Sequence, residues 1–113
     1  MHYQKVLSFC NFCIETWYEW GFAEIHNDIL YITTERSKWR VNLTDYSRFG
    51  KYTLFHYNKD NSGGWHMQCR YKDILCLVAE ACAHDFHKYN NLTFNPIDRD
   101  YLFTNFQREC NNE

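Results

Sequence analysis

The chain has 113 residues, of which 45% are hydrophobic and 19% aromatic, and its formal net charge is -2. One domain of this size can bury roughly two thirds of the surface of its unfolded chain, and the abundance of bulky side chains excludes a disordered protein. No apolar run approaches the roughly 20 residues that a membrane-spanning helix needs. We predict a single compact domain over residues 1–113.

The six cysteines are too sparse for the disulfide framework of a small secreted protein. The first residues also lack the basic and apolar segments of a secretory leader. We therefore expect a cytoplasmic protein whose thiols are reduced and packed as small apolar side chains. The sequence contains no cofactor-binding motif, and we expect no cofactor.

The first element is an amphipathic helix. Between His2 and Trp20, apolar residues recur every three or four positions and polar residues line the opposite side, and Gly21 is placed where a helix cap is expected. Two strand-like runs follow, at residues 22–26 and 29–33. The Asn27-Asp28 pair between them tolerates positive φ, which predicts a tight hairpin turn.

Three more strands are predicted in the middle of the chain. Residues 38–43 alternate, with Trp39, Val41 and Leu43 on the inner face, and residues 51–58 and 64–71 flank a loop rich in turn-forming residues. The run at 51–58 is apolar on both faces, with Tyr52 and Leu54 on one side and Phe55 and Tyr57 on the other, so the sequence does not fix its register.

Two helices are predicted after the strands. The first runs from Asp73, its N-terminal cap, to Tyr89, and the second begins at Asn95-Pro96 and includes Phe106 on its apolar side. Because helices and strands are segregated along the chain, we predict an α+β fold. Its antiparallel sheet of four to five strands carries the N-terminal helix and two C-terminal helices mainly on one face, in the order α-β-β-β-β-β-α-α.

The charge is unevenly distributed along the chain. Residues 36–72 carry eight basic and two acidic side chains, a formal charge of +6, whereas residues 1–35 and 73–113 carry -4 each. Such asymmetry is typical of a protein with charged partners. Strand alternation places the following polar residues on the face opposite the helices: Lys38, Arg40, Asn42, His66, Gln68 and Arg70.

A small aromatic-rich domain without a catalytic motif is most simply a non-enzymatic macromolecular binding module. We expect a protein partner, because Tyr, Trp, Phe and Arg dominate protein interfaces. The working hypothesis is an inhibitor or accessory factor, in the manner of phage or mobile-element proteins, anti-CRISPR proteins among them, that block a host nucleic-acid-processing enzyme. The predicted binding residues are Arg36, Lys38, Arg40, Tyr46, Arg48, Phe49, Tyr57, His66 and Arg70.

Two alternatives remain open. The same basic and aromatic face could bind RNA or single-stranded DNA, because cations meet phosphates and rings stack on bases. A small zinc-binding or acid–base enzyme could instead use His84 and His87. The candidate metal ligands are Cys10, Cys13, Cys82, His84 and His87, and the packing of the cysteines as core thiols is the favoured interpretation.

Asp85 lies near the middle of the apolar stripe of the helix at 73–89. An unpaired carboxylate there would cost several kcal/mol to bury. We therefore expect Asp85 to anchor the helix through a charged or hydrogen-bonding partner, with Arg40 and Arg70 on neighbouring strands as candidates.

Overall fold

The computed structural model describes residues 3–44, 50–58, 64–89 and 104–108. The α+β class and the order of helices and strands confirm the prediction. The start of the last helix, at Asn95-Pro96, lies outside the described residues, and residues 104–108 are helical. The other elements are α1 (Tyr3–Trp17), β1 (Gly21–His26), β2 (Ile29–Thr34), β3 (Lys38–Asn42), β4 (Tyr52–Asn58), β5 (Gly64–Tyr71) and α2 (Ile74–Tyr89).

The five strands form one antiparallel sheet in the order β1-β2-β3-β4-β5, so each strand pairs with its neighbour in sequence. The turn between β1 and β2 shows why consecutive strands pair. Asn27 and Asp28 have φ values of 52° and 64°, a left-handed conformation that short polar side chains tolerate. His26 consequently faces Ile29, and the two-residue turn predicted from sequence is confirmed.

Both long helices lie on one face of this sheet, which we call the inner face. The predicted inner residues Trp39, Val41 and Leu43 are buried, and so are Tyr52 and Leu54 on β4. The core that these residues form with α1 and α2 also contains Val6, Phe9, Ile14, Leu30, Ile32, Leu77 and Val78. Phe106 packs on Phe9 with ring centroids 4.9 Å apart, as its place on an apolar side predicted.

Gly21 does not cap α1 as predicted but begins β1. A Cβ atom at this position would lie 2.8 Å from the carbonyl oxygen of Thr33 and 2.9 Å from Cγ2 of Ile14. The glycine is therefore required by the close approach of α1 to the first hairpin, and not by a left-handed helix end.

The capping residue of α2 is the one predicted. The Asp73 side chain accepts hydrogen bonds through Oδ1 from the backbone N–H groups of Leu75 at 2.8 Å and Cys76 at 3.1 Å. These are two of the N–H groups that a helix start leaves without intrahelical acceptors. The cap fixes where α2 begins and hence which of its side chains face the sheet.

Strand β5 contains an irregularity that the sequence did not reveal. Leu54 faces Cys69, but the next residue of β4, Phe55, faces Met67, so Gln68 is an extra residue on β5. Such a β-bulge reverses the alternation of side chains along a strand. Cys69 therefore lies on the inner face, where simple alternation from Arg70 puts it, while the residues before the bulge change sides.

Because of the bulge, the predicted positions of two residues are wrong. His66 faces His56 across the strands, and His56 in turn faces Trp39, so both histidines lie on the inner face. Gln68 lines the same pocket as these histidines and Trp39. Simple alternation had put His66 and Gln68 on the opposite face, and Trp65 now takes that place.

Candidate binding surface

The sheet face opposite α1 and α2, which we call the outer face, bears two parallel rows of large side chains. One row includes Lys38, Tyr57 and Trp65, and the next includes Arg40 and Phe55. Among the described residues, both long helices pack against the inner face only. By strand register, the outer face consists of Phe22, Glu24, His26, Ile29, Tyr31, Thr33, Lys38, Arg40, Asn42, Thr53, Phe55, Tyr57, Trp65, Met67 and Arg70.

Arg40 lies at the centre of this face. Its guanidinium carbon lies 4.5 Å from the centroid of the Trp65 ring and 5.5 Å from that of Phe55. The Tyr57 ring meets Trp65 edge-on, with centroids 5.4 Å apart. Cation–π contacts of this kind hold the guanidinium over the rings of the sheet.

The outer face carries exposed apolar side chains on both edge strands of the sheet, and cations on β3 and β5. Phe22 on β1 is 46% exposed, and so is Met67 on β5. Lys38 and Arg70 are exposed, and Arg70 donates from Nε to Thr53 Oγ1 at 3.3 Å. An apolar and cationic surface of this composition resembles the contact surfaces of proteins more than an ordinary solvated face.

Four of the predicted binding residues lie together on the outer face: Lys38, Arg40, Tyr57 and Arg70. Arg36 and His66 lie on the helix side of the sheet and do not join them. Tyr46, Arg48 and Phe49 lie outside the described residues.

Sequence reasoning missed three apolar members of the outer face. Phe22 alternates with Ala23 at the start of β1, a short signal that the turn analysis did not use. Trp65 and Met67 alternate with His66, Gln68 and Arg70, so simple alternation puts them on the inner face, and the bulge at Gln68 leaves no mark in the pattern of polar and apolar residues.

Arg36 forms an internal ion pair instead of a surface contact. Its Nε lies 3.7 Å from Oδ2 of Asp85, and the two side chains are only 11% and 13% exposed. Its Nη2 donates to the backbone oxygen of Trp17 at 2.8 Å, and its guanidinium lies 4.2 Å from the centre of the Tyr18 ring. The arginine thus joins the end of α1 to α2.

Asp85 is anchored as predicted, but by other partners. Its Oδ1 accepts a 2.7 Å hydrogen bond from the Ser37 hydroxyl, and its Oδ2 accepts one of 2.8 Å from the Tyr18 hydroxyl. The two predicted candidates, Arg40 and Arg70, are not partners, because their strand positions turn both side chains to the outer face. Burial, helped by the neighbouring Cys82 and the Asp85 carboxylate, raises the pKa of Tyr18, so its hydroxyl keeps its proton and donates.

The loop between β2 and β3 is built to present Ser37 and Arg36 to Asp85. The buried Thr34 accepts hydrogen bonds through Oγ1 from the backbone N–H groups of Arg36 at 3.2 Å and Ser37 at 3.0 Å. The backbone N–H of Thr34 donates to the Ser37 oxygen at 2.9 Å, which closes the loop. A threonine side chain therefore supplies local order that the sequence pattern did not indicate.

Glu35 in the same loop binds the chain between α1 and β1. Its carboxylate accepts hydrogen bonds from the backbone N–H groups of Glu19 at 3.0 Å and Trp20 at 3.2 Å. Partial burial opposes ionisation, but these N–H groups and the Arg36 charge outweigh it and lower the pKa of Glu35. The loop therefore holds both ends of the α1–β1 connection.

Three of the five candidate metal ligands are packed in the core as thiols. Cys10, Cys13 and Cys82 are fully buried where α1 meets α2, and burial raises the pKa of Cys10 and Cys13. No group of three or more His, Cys, Asp or Glu side chains in the described part of the chain could hold a metal ion. His84 lies apart from the thiols in a pocket, and the side chain of His87 lies outside the described residues.

That pocket lies between α2 and the β4–β5 end of the inner face. Its volume is about 130 Å³. The Trp39 ring stacks on His56 with centroids 5.8 Å apart, and His56 meets His66 edge-on at 5.2 Å. The lining consists of Trp39, His56, His66, Gln68, His84 and Asp85.

The chain matches no protein-family model, no curated protein and no solved structure. Within the residues described, no helix has the length and apolar character needed to cross a membrane.

Proposed function

We propose that this protein is a cytoplasmic, non-enzymatic binding module that engages a protein partner through the outer face of its sheet. The observation that carries the proposal is the Arg40 cluster, in which a guanidinium lies over Trp65 and Phe55 beside the exposed Lys38. Rigid aromatic rings and an oriented arginine are typical of the centre of a protein interface.

Charge defines the surface that the partner must offer. Lys38, Arg40 and Arg70 are the cations of the described outer face, and Glu24, at the β1 end, is its carboxylate. Complementarity then requires an apolar partner surface bordered by carboxylates on the side that meets β3 to β5. Association should weaken as salt rises, because exposed charges are screened beyond about 10 Å at 0.1 M ionic strength.

The geometry favours a protein over a single-stranded nucleic acid. A base stacks on the open face of a ring, but Arg40 already lies over Trp65, and the neighbouring Tyr57 meets that ring edge-on. The exposed side chains at the two ends, Phe22 and Met67, add apolar contact area. Nucleic acid binding by the same face is the second candidate, supported by its cations.

The test compares two double charge reversals. Lys38→Glu with Arg40→Glu changes the outer face, and Lys5→Glu with Lys72→Glu makes the same change in charge on the helix side, where both lysines line a separate cleft. Partners captured from lysate are identified, purified and rebound to each variant. We expect the outer-face variant to lose about tenfold or more in affinity, about 1.4 kcal/mol, and the control to bind as the original chain does.

Four results would contradict the proposal. Equal loss in both variants would point to a general charge effect, and loss in the Lys5/Lys72 variant alone would place the interface on the helix side. Tight binding of RNA or single-stranded DNA at low salt, abolished by the Lys38/Arg40 change, would favour the nucleic acid function. Concentration-dependent dimers abolished by the same change would make a second copy of the chain the occupant. The narrower hypothesis, inhibition of a host nucleic-acid-processing enzyme, stays a prediction from the sequence.

A further inference from the structure

Strand β1 is an open edge of the sheet. It pairs with β2 on one side, and no strand in the described part of the chain pairs with its other side. The two-residue turn makes His26 and Ile29 a hydrogen-bonded pair, and such pairs alternate with non-bonded ones along an antiparallel ladder. The backbone N–H and C=O groups of Gly21, Ala23 and Ile25 therefore point away from β2.

The hydrogen bonds of β2 agree with this assignment. Thr34 faces Gly21 across the ladder, but its backbone N–H donates to the Ser37 oxygen at 2.9 Å, on the β3 side. Among the described residues, no group hydrogen-bonds the outward backbone of Ala23 or Ile25, and both residues are only partly buried. Their donors and acceptors are therefore available to a further strand.

The opposite edge of the sheet is less suited to pairing. The bulge at Gln68 interrupts the regular spacing of the free backbone groups on β5, and bulges hinder the addition of a strand to an edge. In contrast, β1 pairs with β2 residue for residue over its whole length and contains neither proline nor lysine. Trp20, just before β1, and Phe22 are 52% and 46% exposed. The edge thus combines a regular backbone ladder with apolar contact area.

The side chains around β1 define the segment that would fit there. Ala23 and Ile25 pack at the margin of the core but are only partly buried, as is Leu7 on α1. The side chains that an added strand turns to this inner side should therefore be apolar. On the outer side, Glu24 is 51% exposed, and His26, 3.6 Å away, compensates its charge only when protonated. A basic side chain opposite Glu24 would form a favourable cross-strand pair.

We propose that β1 binds an extended segment of a partner protein as an additional antiparallel strand, in which apolar residues alternate with basic ones. Main-chain hydrogen bonds would give the affinity and the alternate side chains the specificity. A second copy of the chain fits less well, because paired β1 strands would bring together two segments, residues 1–35, with a formal charge of -4 each. The site does not use the Arg40 cluster and is independent of the function proposed for it.

The test uses the acetylated and amidated peptide Lys-Val-Lys-Val-Lys-Val-Lys, added to the full chain at neutral pH while NMR measures amide exchange with water. We expect saturable binding that slows exchange at Ala23 and Ile25 about tenfold when the free peptide is at about nine times its dissociation constant. The Glu24 amide, which already bonds β2, should change little. The Trp65 indole N–H, on the outer face, is the internal control and should not shift.

Methylated peptides test the direction of pairing. Opposite residues of an antiparallel pair share a face, so the valines should lie opposite Ala23 and Ile25 and turn their N–H groups to β1. Methylation of the valine nitrogens should weaken binding by at least about tenfold, because it removes several hydrogen bonds. Methylation of the lysine nitrogens, on the far edge of the peptide, should leave binding unchanged. Equal losses for the two peptides, or a loss only with methylated lysines, would contradict the proposal.

Substitutions in β1 locate the site. Ala23→Pro removes one outward N–H and no hydrogen bond to β2, and it should weaken peptide binding by about threefold or more. Ala23→Val is the matched control, since it adds a side chain of similar size and keeps the N–H. Glu24→Gln should weaken binding about twofold or more through the lost cross-strand charge pair.

Four results would overturn the proposal. They are binding that does not saturate, a Trp65 indole that responds as the Ala23 amide does, an Ala23→Val loss as large as that of Ala23→Pro, and dimers of the free chain that protect Ala23 and Ile25. The first would mean that the edge has no specific site, and the second would put the peptide on the centre of the outer face. The third would assign the effect to side-chain size, and the last would make a second copy the occupant.

Discussion

The two faces of the sheet carry the same kinds of side chain in opposite roles. On the helix side, Arg36 meets the Asp85 carboxylate at 3.7 Å and is 11% exposed. On the outer face, Arg40 lies on the rings of Trp65 and Phe55, with its charge available at the surface. A cation matched by a carboxylate stabilises the fold, whereas one oriented by aromatic rings remains available to a partner. Composition alone does not distinguish these roles.

Adjacent residues of β4 provide the sharpest test of this contrast. Leu54 is fully buried on the inner face, and Phe55 is half-buried on the outer face. Leu54→Ala should lower the free energy of unfolding by about 3 kcal/mol, because it leaves a cavity. Phe55→Ala should cost only about 1 kcal/mol through its lost contacts. Urea denaturation measures both, and equal losses would mean that the outer face is also a packed face.

The next largest loss of stability is expected for a substitution at Asp85. Asp85→Asn keeps the side-chain size but removes the nearer of the two carboxylates that Arg36 meets, leaving only Glu35 at 4.0 Å, so we expect the free energy of unfolding to fall by about 3 kcal/mol. Asp28→Asn is a matched control, because the Asp28 side chain is exposed and accepts a hydrogen bond from the Tyr3 hydroxyl. Denaturation of both variants should show that the free energy of unfolding falls more for Asp85→Asn than for Asp28→Asn. An Asp85→Asn loss no greater than that of Asp28→Asn would contradict the anchoring role.

Glu35 gives a smaller effect that depends on pH. Its pKa is lowered in the folded chain, so its contribution to stability is present above the ordinary glutamate value of 4.5 and is lost as the pH falls through the lowered value. Glu35→Gln should therefore cost about 1 kcal/mol or less at neutral pH, and nothing once the original carboxyl is protonated. Thermal melts at several pH values measure the difference in stability between Glu35→Gln and the original chain. A difference that does not change with pH would show that the Glu35 carboxylate is not its cause.

The fold could be predicted further than the site. The Asn27-Asp28 turn, the Asp73 cap and the helical stripe of α2 are local signals, and the structure confirms them. The need to anchor Asp85 also followed from the cost of burying a charge. Its partners did not, because Tyr18 and Ser37 lie 67 and 48 residues away and reach Asp85 only through the tertiary fold.

The bulge in β5 limited the prediction of the site more than any other feature. It adds Gln68 to a strand whose polar and apolar residues alternate without a break, so nothing in the pattern marks the change of face. One extra residue was enough to exchange Trp65 and His66 between the outer face and the pocket. Alternation predicts which residues share a face only as long as the ladder is regular.

The meander order of the sheet also bears on how the chain folds. Each strand pairs with the next one in sequence, so each hairpin closes only a short loop. The contact between Tyr18 and Asp85 closes a segment of 67 residues and belongs to the docking of α2. We expect the strands to pair before α2 docks. Stopped-flow measurements on the Asp85→Asn variant should then show faster unfolding and an almost unchanged folding rate.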